Sequence, residues 1–296
     1  DGQALAGAKA LMVASDAQGR RLPQADPLQA TVAPVTDSGG GLTVYATSGT
    51  TFDVYLVSAD HYLAVRGTQA REITFDGRTA TRLTAAVDGG PGAAATVALT
   101  DPAGPFTDRP VLEGGAPYWV TPGRYGVEVS ALGLTFVASE PRRIEGQRVN
   151  LIVGGAFSLA SAADKDWYAP GETVLITTTV TDRYGFAVHG AALSATLGQV
   201  QGQPGQSGSV TLTLPQDTAP GTYDVTVTAD GGPIGQATDT VTITVGQENW
   251  WTFELVDSSG NPFPTMGRGV EADVWQVQED GTYRHLASGT SGEDDF

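Results

Sequence analysis

The chain has 296 residues, with 33 acidic and 16 basic side chains, a formal charge of −17 and no cysteine. The negative charge repels phosphate backbones and anionic membranes, so we expect no nucleic-acid partner. Without cysteine there is no disulfide scaffold, thiolate metal site or cysteine nucleophile. No stretch approaches the roughly 18–20 consecutive apolar residues of a membrane span, so we expect no membrane insertion.

A turn followed by an alternating strand occurs three times along the chain. Residues 220–227 begin with Pro-Gly and then alternate apolar and polar side chains, residues 122–129 repeat this pattern, and residues 49–56 are a weaker copy. Strict alternation indicates a strand with one buried and one solvated face. Helical periodicity is nearly absent. A repeated turn-and-strand unit predicts an all-β chain of tandem β-sandwich domains arranged as a rod.

The first two predicted domains span residues 1–68 and 69–154. Each combines small-residue strands, an Asp-x-x-Gly turn (residues 16–19 and 101–104) and the alternating strand described above. This combination resembles the transthyretin-like, or carboxypeptidase-regulatory-like, β-sandwich. The resemblance implies a fold more than a function. The first strand of the 1–68 domain is predicted to be missing.

The third predicted domain spans residues 157–246 and has the clearest pattern. Its segments YAPGE, TDRYGFAVHGA and LPQDTAPGTYDVTV resemble a bacterial Ig-like or macroglobulin-like (MG2-type) domain. Such domains are spacers, stalks or adhesive rods on bacterial surfaces, so the resemblance implies a structural role. It also implies that Tyr125 and Tyr223, which follow Pro-Gly, are tyrosine-corner residues with a buried ring and a hydroxyl bonded to the backbone.

Residues 247–296 begin a fourth β module and do not finish it. Two interpretations fit these unfinished ends: the sequence is cut from a longer array, or one subunit completes the sheet of the next by strand addition. The second interpretation predicts self-association into a polymer through residues 1–13 and 247–296. The predicted assembly residues are Leu5, Leu11, Val13, Trp250, Trp251, Phe253, Leu255 and Phe296.

The sequence contains no pattern typical of a catalytic site. Its three histidines lie on different predicted domains without acidic residues at metal-ligand spacing, and nucleophile elbows and phosphate loops are absent. We therefore predict no enzymatic activity, no catalytic residues and no cofactor. A structural calcium ion is a weaker hypothesis, since acidic clusters near domain junctions supply hard oxygen ligands. The candidate calcium ligands are Asp164, Asp166, Glu293, Asp294 and Asp295.

Two functional hypotheses follow. The first is a structural subunit or segment of a secreted bacterial fibre, pilus-like filament, surface layer or adhesin stalk at the cell surface. The alternative is a glycan-binding accessory module of a secreted enzyme, with exposed tryptophans as platforms for a surface glycan. Trp167-Tyr168 and Trp250-Trp251 are the candidate platforms, although packing in cores and between domains is the simpler explanation of such aromatics.

Overall fold

A computed structural model describes residues 4–15, 34–43, 51–70, 72–75, 77–90, 92–102, 111–112, 117–205, 208–246, 271–277 and 283–290. This part of the chain contains strands and two 3-10 turns but no α-helix, which confirms the predicted all-β class. None of its helical turns is long and apolar enough to cross a membrane. The chain divides into two compact units, residues 1–247 and 248–296.

The first unit contains all strands but the last two. Before residue 155 these are β1 (Lys9–Ser15), β2 (Thr51–Val57), β3 (His61–Thr68), β4 (Thr81–Asp88), β5 (Thr96–Thr100), β6 (Val111–Leu112), β7 (Tyr118–Val120), β8 (Gly123–Ala131), β9 (Leu134–Ala138), β10 (Arg142–Ile144) and β11 (Arg148–Gly154). After it come β12 (Phe157–Ala163), β13 (Trp167–Tyr168), β14 (Thr173–Asp182), β15 (Phe186–His189), β16 (Ala192–Leu197), β17 (Val200–Gln201), β18 (Gln203–Pro204), β19 (Ser209–Thr213), β20 (Gly221–Asp230) and β21 (Gln236–Val245). The 3-10 turns are η1 (Gly77–Thr79) and η2 (Gly232–Ile234).

A six-stranded sheet has the order β1-β2-β3-β7-β4-β11. Strands β3 and β7 pair in parallel, with Tyr62 opposite Val120, and β4 pairs in parallel with β11. Strands on both sides of the predicted boundary at residues 68/69 therefore share one hydrogen-bonded sheet. The strands β1, β2 and β3 of the first predicted domain thus continue the sheet of the second.

A ten-stranded sheet follows the path β18-β19-β14-β15-β9-β8-β5-β6, with β10 paired to β8 and β12 to β14. It passes from the second to the third predicted domain where β9 pairs with β15, with Val188 opposite Phe136. A five-stranded sheet, β13-β21-β20-β16-β17, belongs entirely to the third domain.

Two large apolar cores lie between these sheets. The first gathers inward side chains of the six-stranded sheet and of β5, β8 and β9, among them Leu11, Tyr55, Tyr62, Leu83, Tyr118, Tyr125 and Phe136. The second lies within the third domain, between β14 and β19 on one side and β20 and β21 on the other, with Ile176, Leu212, Val225 and Ile243. The period-2 patterns of β8 and β21 explain this arrangement, since alternate residues reach one face of a strand.

The second unit is described only as an antiparallel hairpin of β22 (Glu271–Val277) and β23 (Tyr283–Thr290). The sequence predicts this hairpin from the Asp280-Gly281 turn.

Candidate functional site

The clearest concentration of specific contacts lies where the second and third predicted domains meet. The centre of this junction is Asp182, whose side chain is buried at the end of β14. Its Oδ2 accepts a hydrogen bond from the Gly154 amide at 2.7 Å, and its Oδ1 accepts from the amides of Tyr184 and Phe186 at 2.9 Å each. A buried carboxylate is stable only when paired or hydrogen-bonded, and three amides satisfy this one. The sequence predicts a turn here but not its contact with residue 154.

A second carboxylate, Asp88, joins the same two domains from the end of β4. Its Oδ2 accepts from the Tyr184 hydroxyl at 2.9 Å and from Arg183 Nη1 at 3.3 Å. The hydrogen bond to Asp88 raises the pKa of Tyr184 above its usual value. The backbone carbonyl of Asp88 also accepts from the Gly155 amide at 2.9 Å. Asp88 thus contacts the connecting segment with its backbone and the turn between β14 and β15 with its side chain.

The junction is closely packed as well as hydrogen-bonded. Phe157 and Ile234, both from the third domain, are buried in the first core. A Cβ atom added at Gly231 would lie 2.5 Å from Phe157 Cε2, and one at Gly235 would lie 2.3 Å from the Gly155 carbonyl oxygen. Only glycine therefore allows these backbone segments to approach so closely. This packing leaves the connection little room to bend.

A buried polar cluster connects β3, the end of β5 and β8 in the first core. The guanidinium of Arg66 pairs with the buried Asp101, which also accepts from the Tyr62 hydroxyl at 3.2 Å. The Tyr62 and Tyr125 rings meet edge to face with centroids 5.8 Å apart. Burial, and then the Asp101 charge, raise the pKa of Tyr62 and Tyr125 well above the usual value. The phenols therefore stay protonated, so the cluster is suited to cross-linking β3 and β8 rather than to proton transfer.

The two predicted tyrosine-corner residues occupy different surroundings. The Tyr125 hydroxyl donates to the Thr121 carbonyl at 2.7 Å, and the Tyr223 hydroxyl donates to the Ala219 carbonyl at 2.7 Å. Tyr125 is fully buried, whereas Tyr223 is only half-buried. The sequence repeat thus places the same hydrogen bond in both domains but does not bury both rings equally.

Among the candidate calcium ligands, Asp164 is already engaged. Its Oδ1 accepts from the Tyr168 hydroxyl at 2.7 Å and from the Leu175 amide at 3.0 Å. Burial opposes ionisation of Asp164, but these hydrogen bonds outweigh it and lower its pKa. Burial, and then the bond to Asp164, raise the pKa of Tyr168 to about 12. The described ranges contain no group of three acidic or histidine side chains that would hold a metal ion, and Glu293, Asp294 and Asp295 lie outside them.

The predicted assembly residues divide into two groups. Leu11 and Val13 are buried in the first core, so their side chains pack within the chain and not at its surface, and Leu5 is half-buried. The other predicted assembly residues, Trp250, Trp251, Phe253, Leu255 and Phe296, lie outside the described residues. Of the candidate sugar platforms, Tyr168 is buried and Trp167 is 38% exposed.

No family model matches the chain, and no curated protein matches it. Solved structures that are similar in part include the adhesin FdeC of Escherichia coli, at 16% identity and a TM-score of 0.28 over 70% of this chain and 87% of that one. A putative adhesin of Bacteroides ovatus has 11% identity and a TM-score of 0.19 over 72% and 82% of the two chains. The SGBP-B protein of a Bacteroides ovatus mixed-linkage glucan utilization locus, solved with a heptasaccharide, has 14% identity and a TM-score of 0.22 over 98% and 82%.

Proposed function

We propose that the chain is a structural, non-enzymatic segment of a secreted bacterial surface protein, such as an adhesin stalk or a fibre. The observation that supports this role is the junction at residues 154–157. There, sheet pairing between β9 and β15, the buried Asp182 and the apolar contacts of Phe157 all join the same two domains.

A stalk has to transmit position and force from one end to the other, so its connections between domains must resist bending. Flexible linkers leave neighbouring domains free to move, and few contacts cross them. Here the amides of Gly154 and Gly155 are both bonded across the junction. Stability of such arrays comes from domain cores together with contacts between neighbours. The junction provides the second contribution.

The finer hypothesis is that copies of the chain join end to end by strand complementation. The described part of residues 248–296 is a two-stranded hairpin, and an isolated hairpin is at best marginally stable in water. A third strand, from the same chain or from a neighbouring copy, would stabilise it. Self-association of this kind is part of the proposed role at the cell surface.

Spin-label distance measurements test the proposed rigidity directly. The chain has no cysteine, so Thr100→Cys and Thr226→Cys place one label on an exposed residue of each domain. We expect a narrow distance distribution between the two labels. Asp182→Ala should broaden it, because the Gly154, Tyr184 and Phe186 amides lose their acceptor. The matched control is Asp217→Ala, which removes an exposed carboxylate away from the junction.

A broad distribution in the unsubstituted protein would contradict the stalk role. If Asp182→Ala and Asp217→Ala broaden the distance distribution equally, the stalk role is contradicted as well.

A further inference from the structure

Four side chains form a straight row across the outer face of the six-stranded sheet. His61 on β3 is in register with Trp119 on β7, Trp119 with Arg82 on β4, and Arg82 with Arg148 on β11. The neighbours of these residues along each strand, including Tyr62, point into the first core. Because side chains alternate between faces, the row lies on the face away from that core. We call three of these four residues, Trp119, Arg82 and Arg148, the Arg–Trp row; His61 lies next to its Trp119 end.

The two arginines of the Arg–Trp row lie side by side without compensating charge. Neither guanidinium has a hydrogen-bond or carboxylate partner among the residues that the structure describes, and Arg82 Nε is buried without one. Glu145, three residues before Arg148, pairs with Arg143 instead. Like charges directly opposite each other destabilise a sheet. A chain with 33 acidic and 16 basic residues has carboxylates in excess, so an unpaired arginine pair indicates an external anion.

The surroundings of the arginines suit a sugar. Trp119 is half-buried and packs against a small outer cluster, which restrains the ring beside Arg82; the cluster consists of Ala10, Leu56, Leu63 and Ala80. Two residues further along β4 and β11, the Thr84 hydroxyl donates to Asn150 Oδ1 at 3.0 Å, so the Asn150 amide nitrogen is left as a donor on the same face. Beyond the Trp119 end of the Arg–Trp row, the Asp60 carboxylate lies 2.6 Å from His61 Nδ1. A ligand carboxylate is therefore directed to the Arg82–Arg148 end.

We propose that the Arg–Trp row binds a carboxylated polysaccharide, with a uronate carboxylate on Arg82 and Arg148 and a sugar ring against Trp119. Guanidinium groups match carboxylates with paired, charge-assisted hydrogen bonds. An indole provides a large rigid surface for the apolar face of a sugar. The chain's net charge of −17 repels polyanions elsewhere, so the row is a local exception. This binding goes beyond the structural role proposed above and does not depend on it.

Isothermal titration of the whole chain with oligogalacturonate tests the proposal, with an uncharged gluco-oligosaccharide of equal length as the comparison. We expect saturable binding of oligogalacturonate only. Arg148→Gln should weaken it about tenfold, since a charge-assisted hydrogen bond contributes about 1.5 kcal/mol. Arg148 is exposed, so its substitution leaves the core intact.

Two control variants keep the test specific. Arg124→Gln removes an equal charge from an exposed residue on β8, outside the Arg–Trp row, and should leave affinity within about twofold because distant surface charges are screened. Trp167→Ala removes a second partly exposed indole and should also leave the affinity unchanged. Absence of saturable binding overturns the proposal, as does equal weakening by Arg148→Gln and Arg124→Gln. If the chain self-associates and Arg148→Gln abolishes this self-association, the Arg–Trp row binds a second copy of the chain and not a polysaccharide. That result would also overturn the proposal.

Discussion

The hydroxyl groups of Tyr125 and Tyr223 make the same hydrogen bond in two different surroundings, and this difference sets their contribution to stability. Removing the hydroxyl of Tyr125 leaves the Thr121 carbonyl without its partner beside a fully buried ring. We expect Tyr125→Phe to lower the free energy of unfolding by about 1–2 kcal/mol. The Ala219 carbonyl beside the half-buried Tyr223 regains water, so Tyr223→Phe should cost about 0.5 kcal/mol. Urea unfolding followed by circular dichroism measures both, and a larger loss for Tyr223→Phe would contradict this ranking.

At the scale of single elements, the short strand β13 connects a pH-sensitive cluster to the end of β21. β13 pairs in parallel with β21, and the Thr244 amide donates to the Asp166 carbonyl at 3.2 Å. Hydrogen bonds to Tyr168 and Leu175, acting against burial, lower the pKa of Asp164, and the bond from Lys165 lowers the pKa of Glu172. A lowered carboxylate pKa stabilises the folded state above the unfolded pKa, and this stabilisation is lost as the pH falls.

We therefore expect β13 to detach from β21 on acidification. Hydrogen-exchange protection of the Thr244 amide, corrected for the intrinsic rate, should begin to fall near about pH 4, the ordinary carboxylate pKa, and continue to fall as the pH drops through the lowered pKa values of Asp164 and Glu172. Asp164→Asn should lower protection already at neutral pH and flatten its pH dependence. Asp217→Asn, an exposed carboxylate elsewhere in the domain, is the matched control. Protection that is unchanged at about pH 2, well below the ordinary carboxylate pKa, would show that these hydrogen bonds do not hold the strand.

Individual strands could be predicted well from alternation, because each pattern is local. The alternating segments predicted at residues 122–129 and 220–227 overlap β8 and β20. The contacts of Asp182 with Gly154 and of Asp88 with Tyr184 could not be predicted, because they join residues 28 and 96 positions apart. A carboxylate in a turn gives the same sequence signal whether or not a distant amide reaches it. The Arg–Trp row escaped prediction for the same reason.

At the scale of the whole molecule, pairing between distant strands decided the domain organisation. Alternation indicates that β3 and β7 are strands, but it does not indicate that they pair in parallel. Parallel pairing needs a long crossover, so no turn between the two strands marks it in the sequence. For this reason the sequence does not show that β1, β2 and β3 share a sheet with strands beyond the predicted boundary at residues 68/69. The predicted end of the third domain, residue 246, lies next to the division at residue 247.

The division at residue 247 predicts that folding and assembly depend on different parts of the chain. The core clusters of the part of the chain whose burial the structure describes lie between Ala10 and Val245, within the first unit. A chain that ends at residue 247 should therefore keep its cores and its β-sheet circular dichroism. If residues 248–296 supply strands to a neighbouring copy, the whole chain should form filaments in negative-stain electron microscopy and the shortened chain should give single particles. The edge of a β-hairpin carries backbone groups that can pair with a further strand, which is the physical reason for such pairing. Filaments from both proteins would place assembly in the first unit, and monodisperse particles from both would rule out strand complementation between copies.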